Sequence, residues 1–434
     1  MSKQAFNDVS EKKWTRESLG DLAVYQNGNS FSKNQWSDEG YPIIRIQNLT
    51  GEQDEYNHFD GDLDEKYKVE NGDILLAWSG TIDLFQWDGD DAALNQHIYR
   101  IDMEGGVNDI FFKFKLEEAI PRLIALSHGS TMKHVRKADL VNLDVKIPSD
   151  LDEQRKIASV LYNVDQAIQK TEEIIEQTQR IKKGLMQDIF TEGYYEHEEF
   201  EKHQIGPNKF ELPEDWEFKE LGKFIEEFIG GANLSPSDFT EKGVKVFPKG
   251  GVNDRGIAEL DEDEKQYVSE DYAEENQKYL VDNDFLMTAL RDLVPSGPNI
   301  GRIVEIPQGD EYLMAQGVYG LNIKEKKLNR HYLAHLSNSN FYRKRMKQIK
   351  VGSTQVHIRK PIFSSVNIPI PSKDEQKKIA EVCNSINDKI RLQKKQKKQL
   401  QRLKKGLMQD LLTGEVRTRD RDIEVVDAVK EVEG

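Results

Sequence analysis

The sequence predicts a mixed α/β (α+β) protein. It consists of two globular modules separated by two long helices paired as an antiparallel coiled coil, with an internal pseudo-twofold repeat. Three observations predict this. The first is the repeat itself, which decides architecture. Glu153-Gln154-Arg155-Lys156-Ile157-Ala158 recurs as Glu375-Gln376-Lys377-Lys378-Ile379-Ala380, and Lys182-Lys183-Gly184-Leu185-Met186-Gln187-Asp188 recurs unchanged as Lys404-Lys405-Gly406-Leu407-Met408-Gln409-Asp410, both at an offset of 222. Two matches in one register, with no gap between them, indicate one duplicated helix. The second is heptad spacing: Ile157, Leu161, Val164, Ile168, Thr171, Ile175, Thr178 and Leu185 in the first copy, and Ile379, Cys383, Ile386, Ile390, Gln393, Lys397, Leu400 and Leu407 in the second. A seam of period 3.5 buries well against another long helix, and neither copy is apolar enough to stand alone. The third is a set of short strand-like runs bounded by Gly and Asp, at residues 41–46, 73–78 and 96–101 in the first module and 244–247, 284–288 and 319–323 in the second.

The elements follow in order. Residues 1–12 read as a free tail, 13–150 as the first module, 151–190 as the first long helix and 191–216 as an acidic, aromatic connector with Pro207 and Pro213. Residues 217–372 form the second module, 373–412 the second long helix and 413–434 an acidic tail expected to be mobile. Within the modules, 117–127 and 329–347 look helical. Lys182, Lys397 and Lys404 interrupt the seam, and their neighbours Ile181 and Leu403 are expected to supply the apolar contact there. Cys383 reads as a small seam residue.

The repeat extends beyond the helices. Gly129-Ser130-Thr131-Met132-Lys133-His134-Val135-Arg136-Lys137 matches Gly352-Ser353-Thr354-Gln355-Val356-His357-Ile358-Arg359-Lys360, and Ile147-Pro148-Ser149 matches Ile370-Pro371-Ser372, at offset 223. Trp14 and Leu19-Gly20 match Trp216 and Leu221-Gly222 at offset 202. The modules therefore share a frame and differ in content.

Of 434 residues, 37% are hydrophobic and 32% charged, a balance that suits modules joined by solvated helices. No apolar run is long enough to span a membrane, and the first residues offer no signal peptide, so a soluble cytoplasmic protein is expected. One cysteine excludes an internal disulfide. The net charge is −16, which taken alone argues against nucleic acid. The charges are unevenly spread, however. Residues 14–150 carry 13 basic and 25 acidic side chains, whereas residues 340–360 carry seven basic and none acidic.

Catalytic motifs are missing. There is no phosphate-binding G-x-x-x-x-G-K-[ST], no G-x-G-x-x-G turn after a strand and no H-E-x-x-H. His331 and His335 have the spacing of two metal ligands but no third ligand nearby in sequence, so no metal is expected. The Gly-Ser-Thr segments are the best functional candidates. Glycine permits close backbone approach, and hydroxyls, free N–H groups and basic side chains bind phosphate. The candidates are Ser130, Thr131, Lys133, His134, Arg136 and Lys137 in the first module, and Arg343, Lys347, Lys350, Ser353, Thr354, His357, Arg359 and Lys360 in the second. Base readout needs Arg, Lys, Asn or Gln on loops. Lys33, Arg45, Gln47, Asn48 and Gln96 offer this in the first module, and Lys249, Asn253, Arg255 and Arg291 in the second. A bland alternative is that each loop merely joins helix to strand. At the level of the whole chain, the rival is a coiled-coil scaffold with two protein- or glycan-binding modules.

With the helix signatures, the Ile-Pro turns and the Leu212-Pro213-Glu214-Asp215-Trp216 run in place, the chain resembles the specificity subunit of type I restriction–modification enzymes over nearly its whole length. The resemblance implies that each module is a target-recognition domain reading half of a split sequence in double-stranded DNA. It implies that the helices dock two methylase (modification) subunits, and that motor–nuclease restriction subunits join the assembly. S-adenosylmethionine, ATP and Mg²⁺ would be bound by those partners and no cofactor by this chain, which would not itself be an enzyme. Helices of this length span ~57 Å and would set the spacing between half-sites.

Overall fold

The computed structural model describes residues 14–104, 106–128, 133–205, 208–258, 266–307, 309 and 311–430. It divides into two compact units. The first comprises residues up to Glu172 together with those from Lys395 onward, and the second runs from Glu173 to Lys394.

In the first unit an antiparallel sheet runs in the order Ala23–Asn27, Ile98–Met103, Ile74–Ser79, Thr81–Gln86. Its core side carries Tyr25, Leu76 and Ile101 against Phe111, Leu116 and Leu123 of the helix Asp109–Leu126. That helix starts earlier than its apolar pattern suggests, because Asn108 caps it with a side-chain oxygen 3.0 Å from the Phe111 N–H. The strand Trp14–Ser18 pairs antiparallel with Asp144–Pro148, closing the module where the long helix Leu151–Asp188 begins.

The second unit repeats this frame. Its antiparallel sheet orders Ile225–Gly230, Val318–Ile323, Leu286–Ala289 and Ile303–Glu305, and Glu217–Glu220 pairs with Asn367–Ile370 before the long helix Lys373–Leu412. Asn329 caps the next helix as Asn108 does, 3.0 Å from the Tyr332 N–H. The expected helix over 329–347 is two helices, Arg330–Leu336 and Asn340–Ile349. The break falls at Ser337, whose hydroxyl donates to the Ala334 carbonyl at 2.7 Å and accepts the Ile303 N–H at 2.9 Å. Gly28 and Gly231 hold equivalent corners. A Cβ on either would lie 2.2 Å from the Asn95 carbonyl oxygen or 2.1 Å from that of Ala315, so no side chain fits.

Each unit contains one half of each long helix, and inside each unit the halves run antiparallel. In the first, Lys404 meets Asp165 at 2.7 Å and Lys397 meets Glu172 at 2.5 Å. In the second, Met186 shares a core with Ile379, Ala380 and Cys383. The seam follows the heptad positions. Ile157, Leu161, Ile168, Ile175, Ile379 and Cys383 are buried, and Val164, Leu185, Ile386, Ile390, Leu400 and Leu407 are half-buried. Burial pushes the Cys383 thiol up to about 12, so it stays protonated and unreactive at neutral pH. One expectation is corrected. Ile181 and Leu403 do not fill the lysine gaps; they are 64% and 49% exposed. The lysines keep the seam positions, and Lys397 and Lys404 are held there by carboxylates.

A further expectation fails. The segment after the second long helix is fixed on the first unit: Thr418 and Val429 are buried, and the Asn108 side-chain amide donates to the Val429 carbonyl at 3.0 Å. The connector is also structured, with a hairpin of Phe200–Ile205 and Asn208–Pro213. The reason is the same in both cases. The first turn of each long helix buries a carboxylate that needs partners, and the departing chain supplies them.

Candidate nucleic-acid interface

The repeated Glu-Gln pair sits at the root of each module. Gln154 accepts the Asn108 N–H at 2.8 Å and donates to the Pro148 carbonyl at 2.8 Å. Gln376 accepts the Asn329 N–H at 2.7 Å and donates to the Pro371 carbonyl at 2.9 Å. Each glutamine thus ties the module's helix cap to the strand entering the long helix. The glutamates differ. Buried Glu153 forms a bidentate pair with Arg417, at 2.7 and 2.6 Å, and the Arg417 guanidinium lies over the Trp14 ring. Buried Glu375 accepts the Tyr194 N–H at 2.9 Å, the Tyr195 N–H at 3.3 Å and the Trp216 indole N–H at 3.1 Å, with His197 Nε2 at 3.1 Å. Gly193 turns the chain there at φ 95°; a Cβ would lie 2.6 Å from the Glu375 oxygen. The offset of 222 that relates Glu153 to Glu375 also relates Tyr195 to Arg417, so chain-equivalent positions reach the two carboxylates with different groups.

The described residues that follow the Gly-Ser-Thr segments, 133–135 and 357–358, meet the end of the central strand in both units. In the second, His357 pairs with Arg291 in an antiparallel bridge, and the Ile358 N–H donates to the Leu290 carbonyl at 2.9 Å. The Arg291 guanidinium donates to Gln355 at 2.7 Å. Lys249 joins this cluster: its side-chain carbon Cε lies where a Cβ on Gly317 would clash. Burial, then the neighbouring Arg291, holds the Lys249 amine below the usual lysine range. Gln316, the repeat equivalent of Gln96, is exposed beside it and was not singled out from sequence.

In the first unit His134 bridges to Ser79, the Val135 N–H donates to the Trp78 carbonyl at 3.0 Å, and the Gly80 N–H donates to the Lys133 carbonyl at 2.8 Å. Aromatic rings replace the cations. Trp78 stacks on Tyr99 with centroids 5.7 Å apart and tilts against His97 at 5.6 Å, and Gln96 lies beside His97. Lys133, His134, Arg136, Ser353, Thr354, His357 and Arg359 are exposed. Ser130 and Thr131 lie outside the described residues.

Several candidates do other work. Lys137 donates to the Tyr25 carbonyl at 2.8 Å, and its equivalent Lys360 donates to the Phe228 carbonyl; each lysine closes its loop onto a core strand. Arg343 donates to the carbonyls of Ile300 (2.7 Å) and Pro298 (2.9 Å), and burial lowers its pKa to about 10. Lys350 donates to the carbonyls of Pro295 and Ser296, both at 2.7 Å. Asn48 spends its whole amide inside its own loop, on the Arg45 N–H and the Gln53 and Glu55 carbonyls. Asn253 accepts the Arg255 N–H in a turn, and the Arg255 carbonyl accepts from Asn387 of the second long helix. Arg45 lies over the Trp36 ring in a separate loop, with Gln47 half-buried nearby and Lys33 exposed on the turn Lys33–Gln35. Lys347 is exposed on its helix.

His331 and His335 are occupied by hydrogen bonds. His331 Nδ1 lies 2.6 Å from Glu305, and His335 Nε2 lies 2.6 Å from Asn384.

Duplicated loops on duplicated strand ends are a frame with two interchangeable faces, and comparison with known proteins identifies it. The family described as "Type I restriction modification DNA specificity domain" matches residues 11–180 and again 213–402. The chain belongs to this family. The MjaVIII specificity subunit of Methanocaldococcus jannaschii is 30% identical over 81% of each chain. The EcoBI specificity subunit of Escherichia coli is 25% identical over 63% of this chain and 60% of its own length. The fold resembles the crystal structure of the type I S subunit from M. genitalium, with TM-score 0.57, 16% identity and coverage of 92% of this chain and 96% of that one. A second structure, solved in work on complex assembly of the type I system, gives TM-score 0.52 at 15% identity, covering 93% and 98%. Each unit therefore carries one of the family's two target-recognition domains. Among the described residues no helix is long and apolar enough to cross a membrane.

Proposed function

We propose that the chain reads a split double-stranded DNA target, one half per unit, and that the exposed part of each repeated loop carries the contact. The observation supporting this is the equivalent seating of His134 on Ser79 and His357 on Arg291, at strand ends whose surroundings have diverged. A shared frame delivers backbone contacts, and divergent side chains at the same place deliver sequence choice. The contact set is Lys133, His134, Arg136 and Gln96 in the first unit and Lys249, Arg291, Ser353, Thr354, His357 and Arg359 in the second. Lys137, Lys360, Arg343, Lys350, Asn48 and Asn253 hold these loops in place.

The chain supplies recognition and no reaction. Two methylase subunits dock on the long helices, restriction subunits complete the assembly, and S-adenosylmethionine, ATP and Mg²⁺ act in those partners. Methylome sequencing of a host carrying this chain with its methylase subunit tests the reading. A split adenine-methylated motif that depends on this chain is expected. Arg291→Ala then relaxes one base of one half, with discrimination falling by about 1–3 kcal/mol. If no new motif arises beside a methylase subunit active with another specificity subunit, the scaffold reading replaces this one.

A further inference from the structure

The equivalent hairpins of the two units differ at their tips. In the first unit the strands Ile74–Ser79 and Thr81–Gln86 are joined by Gly80 alone. In the second the strands Leu286–Ala289 and Ile303–Glu305 are joined by thirteen residues, Leu290–Arg302. The longer segment starts at the strand end that carries Arg291, and it pairs there with Val356 and His357.

This segment is braced along its length. The Gly301 N–H donates to the Ala289 carbonyl at 2.7 Å and closes its base. Lys350 holds the carbonyls of Pro295 and Ser296, Arg343 those of Pro298 and Ile300, and Arg302 Nε donates to Pro298 at 2.9 Å. Asp292 turns inward and accepts the N–H groups of Val294 at 3.3 Å and Asn299 at 3.4 Å. Hydrogen bonds from charged donors are the strong ones, so the backbone is fixed. The tip they fix is nevertheless apolar and faces water. Leu293 is 58% exposed and Val294 45%, and Pro295 is exposed beside them. Exposing apolar surface gains nothing in folding. Holding it rigid lowers the entropy cost of inserting it into a partner.

The surroundings indicate which partner. Arg291 and His357, at the root of the tip, are exposed. Lys344 and Lys347 are exposed on the helix whose Arg343 braces the segment. Residues 340–360 carry seven basic side chains and none acidic. A rigid apolar point among cations is complementary to a polyanion with an apolar interior, which describes a stacked duplex.

We infer that Leu293 and Val294 form a wedge that enters the base stack of the half-site read by the second unit and opens one step there. The first unit, which turns on Gly80, leaves its own half-site stacked. The inference rests on the reading of this chain as a DNA-recognition subunit and adds to it a distortion that surface contacts do not supply. Opening a step costs least at flexible pyrimidine–purine sequences, so the wedge selects sequence where no side chain hydrogen-bonds a base.

The test uses the chain assembled with its methylase subunit and duplexes carrying the methylated motif. 2-Aminopurine, which brightens when unstacked, is placed at successive positions other than the methylated adenine. Wild type is expected to brighten it at one step of one half-site and nowhere in the other. Leu293→Ser with Val294→Ser is expected to abolish that signal and to weaken binding roughly tenfold through lost apolar burial, with the thermal transition unchanged. Leu293→Met is expected to keep the signal. Binding without brightening, or equal brightening by the double variant, overturns the wedge alone. Failure of the wild-type assembly to bind the motif duplex overturns the DNA reading together with the wedge. Loss of the methylase subunit from the double variant in the absence of DNA makes the tip a protein-docking surface and overturns the wedge.

Discussion

The two units solve one problem in two ways. Each must bury a glutamate in the first turn of a long helix, and each recruits the chain leaving the other long helix to satisfy it. In the first unit the solution is ionic: Arg417 grips Glu153 by both oxygens, with the carboxylate fully buried. In the second it is a cage of two backbone N–H groups, an indole N–H and an imidazole around Glu375. The same contrast, inverted, runs through the seam. Lys404 is paired with carboxylates in the first unit, and the Lys182 amine donates to the Asp254 backbone carbonyl in the second. A duplicated frame fixes where a charge is buried but leaves open how it is compensated. That freedom lets the two faces diverge.

The largest expected effect breaks the comparison at Glu153. Truncation after Thr413 removes Arg417, Thr418 and Val429 and leaves a buried carboxylate unpaired. Breaking a buried pair costs about 3–5 kcal/mol, so the first unit's calorimetric transition is expected to fall by about 10 °C. The second unit's transition should not move. A tail without a structural role would leave both unchanged.

The next effect belongs to the second unit. Burial lowers the His335 pKa from 6.5 to about 4. The folded form therefore holds the ring neutral while the unfolded chain takes up a proton below pH 6.5. Stability is fully present above that pH and is lost as pH falls toward 4, by at most about 3 kcal/mol. Urea unfolding at pH 7 and pH 5 measures this. His335→Gln should flatten the profile, and an unchanged slope would show that other groups carry it.

A smaller, opposite-signed pair sharpens the comparison at the seam. Lys404→Met strands Asp165 and Glu117 and is expected to destabilise the first unit by about 2 kcal/mol. Lys182→Met removes a half-buried cation that has no carboxylate ion pair among the described residues and is expected to be neutral or stabilising. Equal losses at both positions would mean that Lys182 has a compensating anion.

Much of this was legible in the sequence. The long helices were readable because heptad spacing and the 222-residue offset are local, periodic signals. The Gly-Ser-Thr segments were readable because they repeat. What escaped depends on contacts distant in sequence. Arg417 lies 264 residues from Glu153, and an acidic C-terminal stretch gives no local hint that it is anchored. The seating of half-buried Lys397 and Lys404 in the seam was equally hidden, because it rests on Glu172, Asp165 and Glu117 arriving from elsewhere. Among the loop candidates, residue type could not separate a side chain that faces outward, such as Arg359, from one that clamps its own backbone, such as Lys350.

The central claim is that two equivalent units each read one half of a split target. It is tested most directly by replacing residues 14–148 with the corresponding module of the Methanocaldococcus jannaschii relative and sequencing the methylome produced with the cognate methylase subunit. The account predicts a methylated motif in which one half changes and the other half and the spacer remain. A motif changed in both halves, or in neither, from a folded and assembled chimera would contradict it.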